Sequence, residues 1–196
     1  MRAISSICGE LLQALFGKDI LEDPNFKDTP IRMENMFNSM FNTEDKINAL
    51  IQVATCKSFP SRYDGLVILP KIKTVSFCPH HMLPVEYNIT IAYLPSIASG
   101  NNCVLLGASK PERVAVALAK RPILQEEYTL NIAEALMNAI QPKGVAVIAQ
   151  GFHSCMRIRG IKNPCASMVT SIMKGAFLDN PRTQNELFEL IKINKD

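Results

Sequence analysis

No stretch of this 196-residue chain approaches the roughly 18 consecutive apolar residues of a membrane span, so no membrane-embedded segment is expected. Charge of one sign is scarce too. The net charge is only +3, with both signs interspersed. That argues against a nucleic-acid partner while leaving room for a local basic pocket. Met1 to Lys18 carries one early charge, Arg2, but Glu10 interrupts its apolar stretch and no convincing small-x-small cleavage site follows. It reads as an amphipathic helix rather than a secretory leader, and the expected location is cytoplasmic. A reducing compartment disfavours a disulfide framework, so the six cysteines are expected as free thiols or ligands. A second Cys-x-x-Cys and a His-x₃₋₅-His are both missing, which excludes a zinc finger. Repeats and low-complexity segments are absent as well.

Histidine is the most informative scarcity. There are three, and each stands near a cysteine: two in Cys78-Pro79-His80-His81 and one in His153-Ser154-Cys155. Cys8, Cys56, Cys103 and Cys165 have no such pattern and are expected to be small buried hydrophobes.

Composition is otherwise ordinary for a globular protein, 47% hydrophobic and 20% charged, and the length suits one domain with an added helical arm. Ser5 to Phe16 reads as a helix with Ile7, Leu11, Leu12 and Leu15 on one face. Asp28-Thr29-Pro30 marks a second helix start, a capping residue followed by proline in the first turn. Leu66 to Phe77 reads as a strand. Tyr87, Ile89, Ile91 and Tyr93 alternate with polar or small residues and form a second, antiparallel to the first, with Cys78 to Pro84 as the connection. Pro95 to Asn102 is a loop. Helices are expected from Ser109, as a hydroxyl cap, to Lys120 and from Leu124 to Ile140, the latter ended by Gln141-Pro142-Lys143-Gly144. Strands follow over Val145 to Gln150 and Ala166 to Lys174. A last helix starts at Asn180-Pro181, with Leu187, Phe188, Leu190 and Ile191 apolar. The expected class is α+β, an antiparallel sheet with helices on one face. A helical region over 1–60 precedes a catalytic region over 61–196, within one structural domain.

Both Cys/His segments fall at or just beyond strand ends, which can meet in space. Cys78, His81 and Cys155 would suit one Zn²⁺ with a fourth position open to water. Spacing leaves open His80 in the place of His81. It also leaves open the bland alternative of two buried thiols and hydrogen-bonded imidazoles. His80 and His153 would then lie beside the metal, where an imidazole suits acid–base work near neutral pH.

Several segments, in order, resemble the GTP cyclohydrolase I family: Thr29-Pro30-Ile31-Arg32, Ser76 to Pro84, Ala92-Tyr93-Leu94-Pro95, Gly107-Ala108-Ser109-Lys110, Gln125-Glu126 and His153 to Gly160. The resemblance covers residue 28 to the C-terminus. It implies the tunnelling fold with its ββααββ core, and a homo-oligomer, commonly a decamer, with active sites between subunits. It implies hydrolysis of GTP to formate and 7,8-dihydroneopterin triphosphate. It assigns Cys78, His81 and Cys155 to zinc, and His153 and His80 to proton transfer. Glu126 would hold the guanine edge, with Gln125 beside it. Ser109 would lie near the ribose, and Arg32, Lys110, Arg113 and Arg159 would meet the triphosphate.

The chain departs from the family pattern in places. Pro79 stands where the family usually has glutamate between the cysteine and the histidines. An aromatic and a glycine are usual after Pro84, where this chain has Val85-Glu86. Ala108 and Pro111 replace larger apolar residues, and Glu127 and Tyr128 replace a basic–apolar pair. These departures keep two further readings in view: a tunnelling-fold purine-nucleotide enzyme with altered or stalled chemistry, and a non-catalytic zinc-bound assembly subunit.

Overall fold

The computed structural model describes residues 2–97 and 103–193. Residues 98–102 of the expected Pro95–Asn102 loop lie outside them. The chain divides into two compact units, Met1–Asn42 and Thr43–Asp196.

The first unit holds helices α1 (Ile4–Phe16) and α2 (Thr29–Met40), joined by a 3₁₀ turn over Lys18–Glu22. Cys8, Gly9 and Leu12 are the buried residues of α1. The Ser5 amide donates to the Glu34 carboxylate at 2.9 Å, tying α1 to α2. The expected apolar face is therefore only partly used: Leu12 is buried, while Ile7, Leu11 and Leu15 face solvent. Asp28 occupies the N-cap position of α2 but makes no side-chain capping bond. Its backbone (φ −96°, ψ 1°) is not the extended conformation from which a cap reaches the second or third amide.

The second unit begins with α3 (Glu44–Thr55), which sequence reading left undrawn within the helical region. Among the described residues six strands follow: β1 (Ser58–Ser61), β2 (Val67–Phe77), β3 (Pro84–Leu94), β4 (Cys103–Leu106), β5 (Gly144–His153) and β6 (Met168–Gly175). β1 and β4 make a separate two-stranded ribbon that was also not anticipated. The other four form an antiparallel sheet in the order β2-β3-β5-β6. Between β3 and β5 run α4 (Lys110–Leu118) and α5 (Gln125–Ile140), which completes the expected ββααββ order. Lys71, with φ 61°, sits where the β2–β3 register shifts between Leu69 and Ile72, as at a β-bulge.

Alternation decides which face is covered. Tyr87, Ile89, Ile91 and Tyr93 of β3 share one buried cluster with Tyr128, Ile132 and Leu136 of α5. The opposite face carries Ala92 and Ala146, packed with Phe177 of α7 (Ala176–Asp179) and Leu187 of α8 (Pro181–Ile193). Asn180 caps α8, its side-chain oxygen accepting from the Arg182 amide at 3.0 Å. Phe188, expected on the apolar face, is exposed. α5 ends on Gln141 in the left-handed region (φ 43°), so Gln141 and not Gly144 supplies the reversal. Gly144 is needed for another reason: a Cβ there would lie 2.8 Å from the backbone of both Lys174 and Ala176.

Of the four patternless cysteines, Cys8 and Cys103 are buried as expected, but Cys56 and Cys165 are exposed. Cys56 ends α3, where its thiol donates to the Val53 carbonyl. Among the described residues no helix is long and apolar enough to cross a membrane.

Candidate active site

The end of β2 is stitched to the connection between α4 and α5. The Ser76 hydroxyl donates to the Arg121 carbonyl at 2.7 Å, and the Ile123 amide to the Phe77 carbonyl at 3.0 Å. These bonds bring the first turn of α5 beside Cys78. The chain then reverses tightly into β3. The Cys78 amide donates to the Leu83 carbonyl at 2.9 Å and the Met82 amide to the Cys78 carbonyl at 2.8 Å, with Met82 in the left-handed region (φ 53°). The turn holds two exposed imidazoles against one buried sulfur: Cys78 Sγ lies 3.7 Å from His80 Nδ1 and 3.8 Å from His81 Nδ1.

Strand register supplies the second segment. Val85, just past that turn, pairs with His153, the last residue of β5. The next residues wind into a single helical turn, α6 (Ser154–Arg157), which carries Cys155. The Cys78 and Cys155 sulfurs and a His153 ring nitrogen consequently lie within 4.8 Å of one another. The two remote segments thus converge, as expected. His81 is not in that tight triplet and approaches through Cys78. A tetrahedral zinc with Zn–S of about 2.3 Å and Zn–N of about 2.0 Å would set S···S near about 3.8 Å and S···N near about 3.6 Å. The observed separations of both turn imidazoles from Cys78 Sγ match that spacing. Two thiols with several imidazoles form a donor set that fits zinc.

Burial, and then the neighbouring Cys78 thiol, push the Cys155 thiol above its usual pKa. A metal held there must displace that proton. Burial likewise lowers the His153 pKa, opposed by the Glu126 carboxylate.

Gln125, the first residue of α5, is only 1% exposed. Its Nε2 donates to the Ala149 carbonyl (3.1 Å), the Met168 carbonyl (3.0 Å) and Thr170 Oγ1 (3.1 Å), and its Oε1 lies 2.9 Å from His153 Nε2. Gln125 therefore faces inward, whereas its neighbour Glu126 is exposed and lines a groove of about 300 Å³ with Thr170 and Ile172.

Ser109 and Arg113 line a different cleft, of about 360 Å³, between α3 and α4. Ser109 is the N-cap residue of α4 but makes no side-chain capping bond, because its backbone is already helical. Lys110 Nζ lies 3.5 Å from the Val53 carbonyl at the same place. Arg159 is exposed after α6, where its charge draws the Cys155 pKa down slightly. Arg32 belongs to the first unit, exposed and 3.8 Å from Asp28.

Sequence reading missed Tyr87, Tyr128 and Gly151. The rings of Tyr87 and Tyr128 lie 4.9 Å apart, and Tyr87 meets His153 edge-on at 6.4 Å. The Tyr87 hydroxyl is buried with no hydrogen-bond partner among the described residues. A glycine inside the apolar strand Gly144–His153 was the available signal for a close approach there.

A family model described as GTP cyclohydrolase I matches residues 4–192. The chain belongs to the GTP cyclohydrolase I family. A curated relative called GTP cyclohydrolase 1, from Coxiella burnetii, is 38% identical over 175 residues, covering 87% of this chain and 90% of the relative. One of the same name from Streptococcus mutans is 36% identical over 190 residues, covering 94% and 91%. A solved structure of an archaeosine synthase QueF-Like protein aligns with a TM-score of 0.43 at 21% identity, over 56% of this chain and 93% of that one. At that distance it bears on neither chemistry nor substrate. Within the GTP cyclohydrolase I family the departures now have places in this fold. Pro79 lies in the turn that presents His80 and His81, and Tyr128 lies inside the core.

Proposed function

We propose that this member of the GTP cyclohydrolase I family is a zinc-dependent enzyme that converts GTP and water to formate and 7,8-dihydroneopterin triphosphate. The observation that carries the proposal is the meeting of Cys78, Cys155 and the three imidazoles at one end of the sheet. Cys78, His81 and Cys155 would hold the metal. When bound, zinc supplies a lowered water pKa, and so hydroxide at neutral pH.

The protein's own residues do the rest. His153 holds a proton at the purine ring as hydroxide attacks C8, because a neutral imidazole ring is too electron-rich to accept that attack easily. His80, exposed on the turn, serves the proton transfers of ring opening and formate release. A water consumed in releasing formate is balanced by the water returned when the opened amine condenses with the rearranged sugar. Glu126 accepts from N1–H and the 2-amino group of guanine, a pair of donors adenine lacks. Ser109 lies at the ribose. Arg32, Lys110, Arg113 and Arg159 meet the triphosphate, arginine as a fork and lysine as a point charge.

Glu126 and Ser109 line separate cavities of one chain. That separation supports a homo-oligomer, on the family pattern a decamer, whose subunits complete each other's sites. The exposed stripe Ile7, Leu11 and Leu15 supports such an assembly. The expected location is cytoplasmic.

The test is incubation of purified protein with GTP and Zn²⁺, following formate and the fluorescence of the oxidised pterin. Equal yields of both support the proposal. Formate without pterin would indicate stalled chemistry, and neither product with zinc bound would leave only an assembly role.

A further inference from the structure

The contacts around Gln125 form a chain of hydrogen bonds whose direction is fixed at its start. Thr129 Oγ1 donates to the Gln125 backbone carbonyl at 2.8 Å, which uses its only proton. The 2.6 Å contact between Thr129 and Thr170 must then be donated by Thr170. Thr170 Oγ1 is left to accept from Gln125 Nε2. The Ala149 and Met168 carbonyls, which can only accept, also face Nε2. The two ends of the Gln125 amide are therefore distinguished by chemistry, and Oε1 is the end facing His153. An amide oxygen only accepts, so His153 Nε2 must carry the proton in this contact.

The sheet also leaves space for this arrangement. Gly151 stands in β5 opposite Tyr87, and a Cβ on it would lie 2.2 Å from Gln125 Oε1 and 2.9 Å from the Tyr87 ring. Its φ is not in the left-handed region, so the glycine answers to crowding and not to backbone conformation.

We propose that Gln125 is a positioning residue that locks His153 in the Nε2–H tautomer, with Gly151 providing the space, so that Nδ1 faces the site as the nitrogen that takes up the proton to be held at the purine ring. Gln125 acts through His153 and makes no contact with substrate. Its amide is bonded within the protein at both ends, which a guanine-binding role would require it to give up.

Three histidines in the whole chain make this readable by NMR of full-length protein labelled with ¹⁵N-histidine, assigned with His80→Gln and His81→Gln. Long-range ¹H–¹⁵N correlations should show His153 as the Nε2–H tautomer, with that proton slow to exchange. Gln125→Met keeps the bulk and removes the acceptor, and should abolish the tautomer preference. Gly151→Ala reaches the same contact from the sheet without altering Gln125 and should give the same spectral change. On the proposed GTP chemistry, on which this kinetic arm rests, kcat should fall about 10–100-fold in both variants with KM for GTP little changed. An Nδ1–H tautomer in the unaltered protein overturns the inference. So does an unchanged tautomer in folded Gln125→Met. Should both variants fail to fold, the spectrum of the unaltered protein still decides. A locked Nε2–H tautomer in a protein that never turns over GTP would sink the proposed function and leave this inference standing.

Discussion

Tyr87 and Tyr128 provide a matched pair in which one substitution should have opposite effects. Both rings are buried against each other on the helix-covered face of the sheet, 3% and 0% exposed. The Tyr128 hydroxyl donates to the Ala115 carbonyl at 2.8 Å and meets Thr74 Oγ1 at 2.9 Å. Tyr128→Phe removes both bonds and leaves the buried Thr74 hydroxyl without a partner among the described residues, a cost of about 1–3 kcal/mol, while the Ala115 carbonyl keeps its bond from the Ala119 amide at 3.0 Å. The Tyr87 hydroxyl has no partner to lose among the described residues. Tyr87→Phe removes a desolvated polar group and should stabilise by about 1 kcal/mol, slightly offset by the small gap it leaves. The two variants should therefore separate by about 2–4 kcal/mol in urea unfolding at matched protein concentration, with unchanged m-values. A Tyr87→Phe variant as destabilised as Tyr128→Phe would show that the Tyr87 hydroxyl is satisfied, and the accounting would fail.

The same pair sets the alkaline limit. Burial raises the pKa of both tyrosines above the ordinary value. Their contribution is complete below the unfolded pKa of about 10 and is lost as pH rises from there towards the folded values. Stability measured by denaturant titration should fall above about pH 10, less steeply in Tyr87→Phe, and an equal slope in that variant would contradict the assignment. Leu136 is fully buried under the sheet, and Leu136→Ala should cost about 2–5 kcal/mol by the same assay, with a cost under about 1 kcal/mol refuting its place in the core. Cys155→Ala should lose zinc by metal analysis, while His153→Ala should keep zinc and lose ring opening. Retention of zinc by Cys155→Ala would show that the metal sits elsewhere.

The legible parts of this fold are those in which local pattern and tertiary environment agree. Tyr87, Ile89, Ile91 and Tyr93 alternate because one face of β3 is covered by α5, so period two was visible. Convergence of Cys78 and Cys155 was readable because each lies just past the end of a strand, and the Val85–His153 pairing closes the distance. The α1 stripe was legible as a helix but not in its orientation, since Cys8 and Leu12 take the buried side and Ile7, Leu11 and Leu15 do not. Residue preference alone misled at Asp28 and Ser109, where capping depends on a backbone angle that composition does not carry. The ribbon of β1 and β4 stayed hidden because its strands have four residues each, too few for periodicity to accumulate.

Gln125 shows why a site is harder to read than a sheet. A polar residue opening a helix beside a glutamate has every local reason to face solvent or substrate, and its own neighbours in the sequence carry no sign that it turns inward. Its burial is favourable only because four groups from β5, β6 and His153 meet its amide. Lacking the His153 donor, or two of the three acceptors that share its two N–H bonds, a buried amide would cost about 1–3 kcal/mol. That arrangement depends on 28 residues of separation between Gln125 and His153 being closed by the packing of α5 on β5. The one trace in the sequence is Gly151, which a strand otherwise rich in valine and alanine has no conformational reason to include. Its absent side chain leaves the space that Gln125 Oε1 occupies. The glycine and the glutamine are therefore one feature split across two elements, and substituting either should disturb the same imidazole.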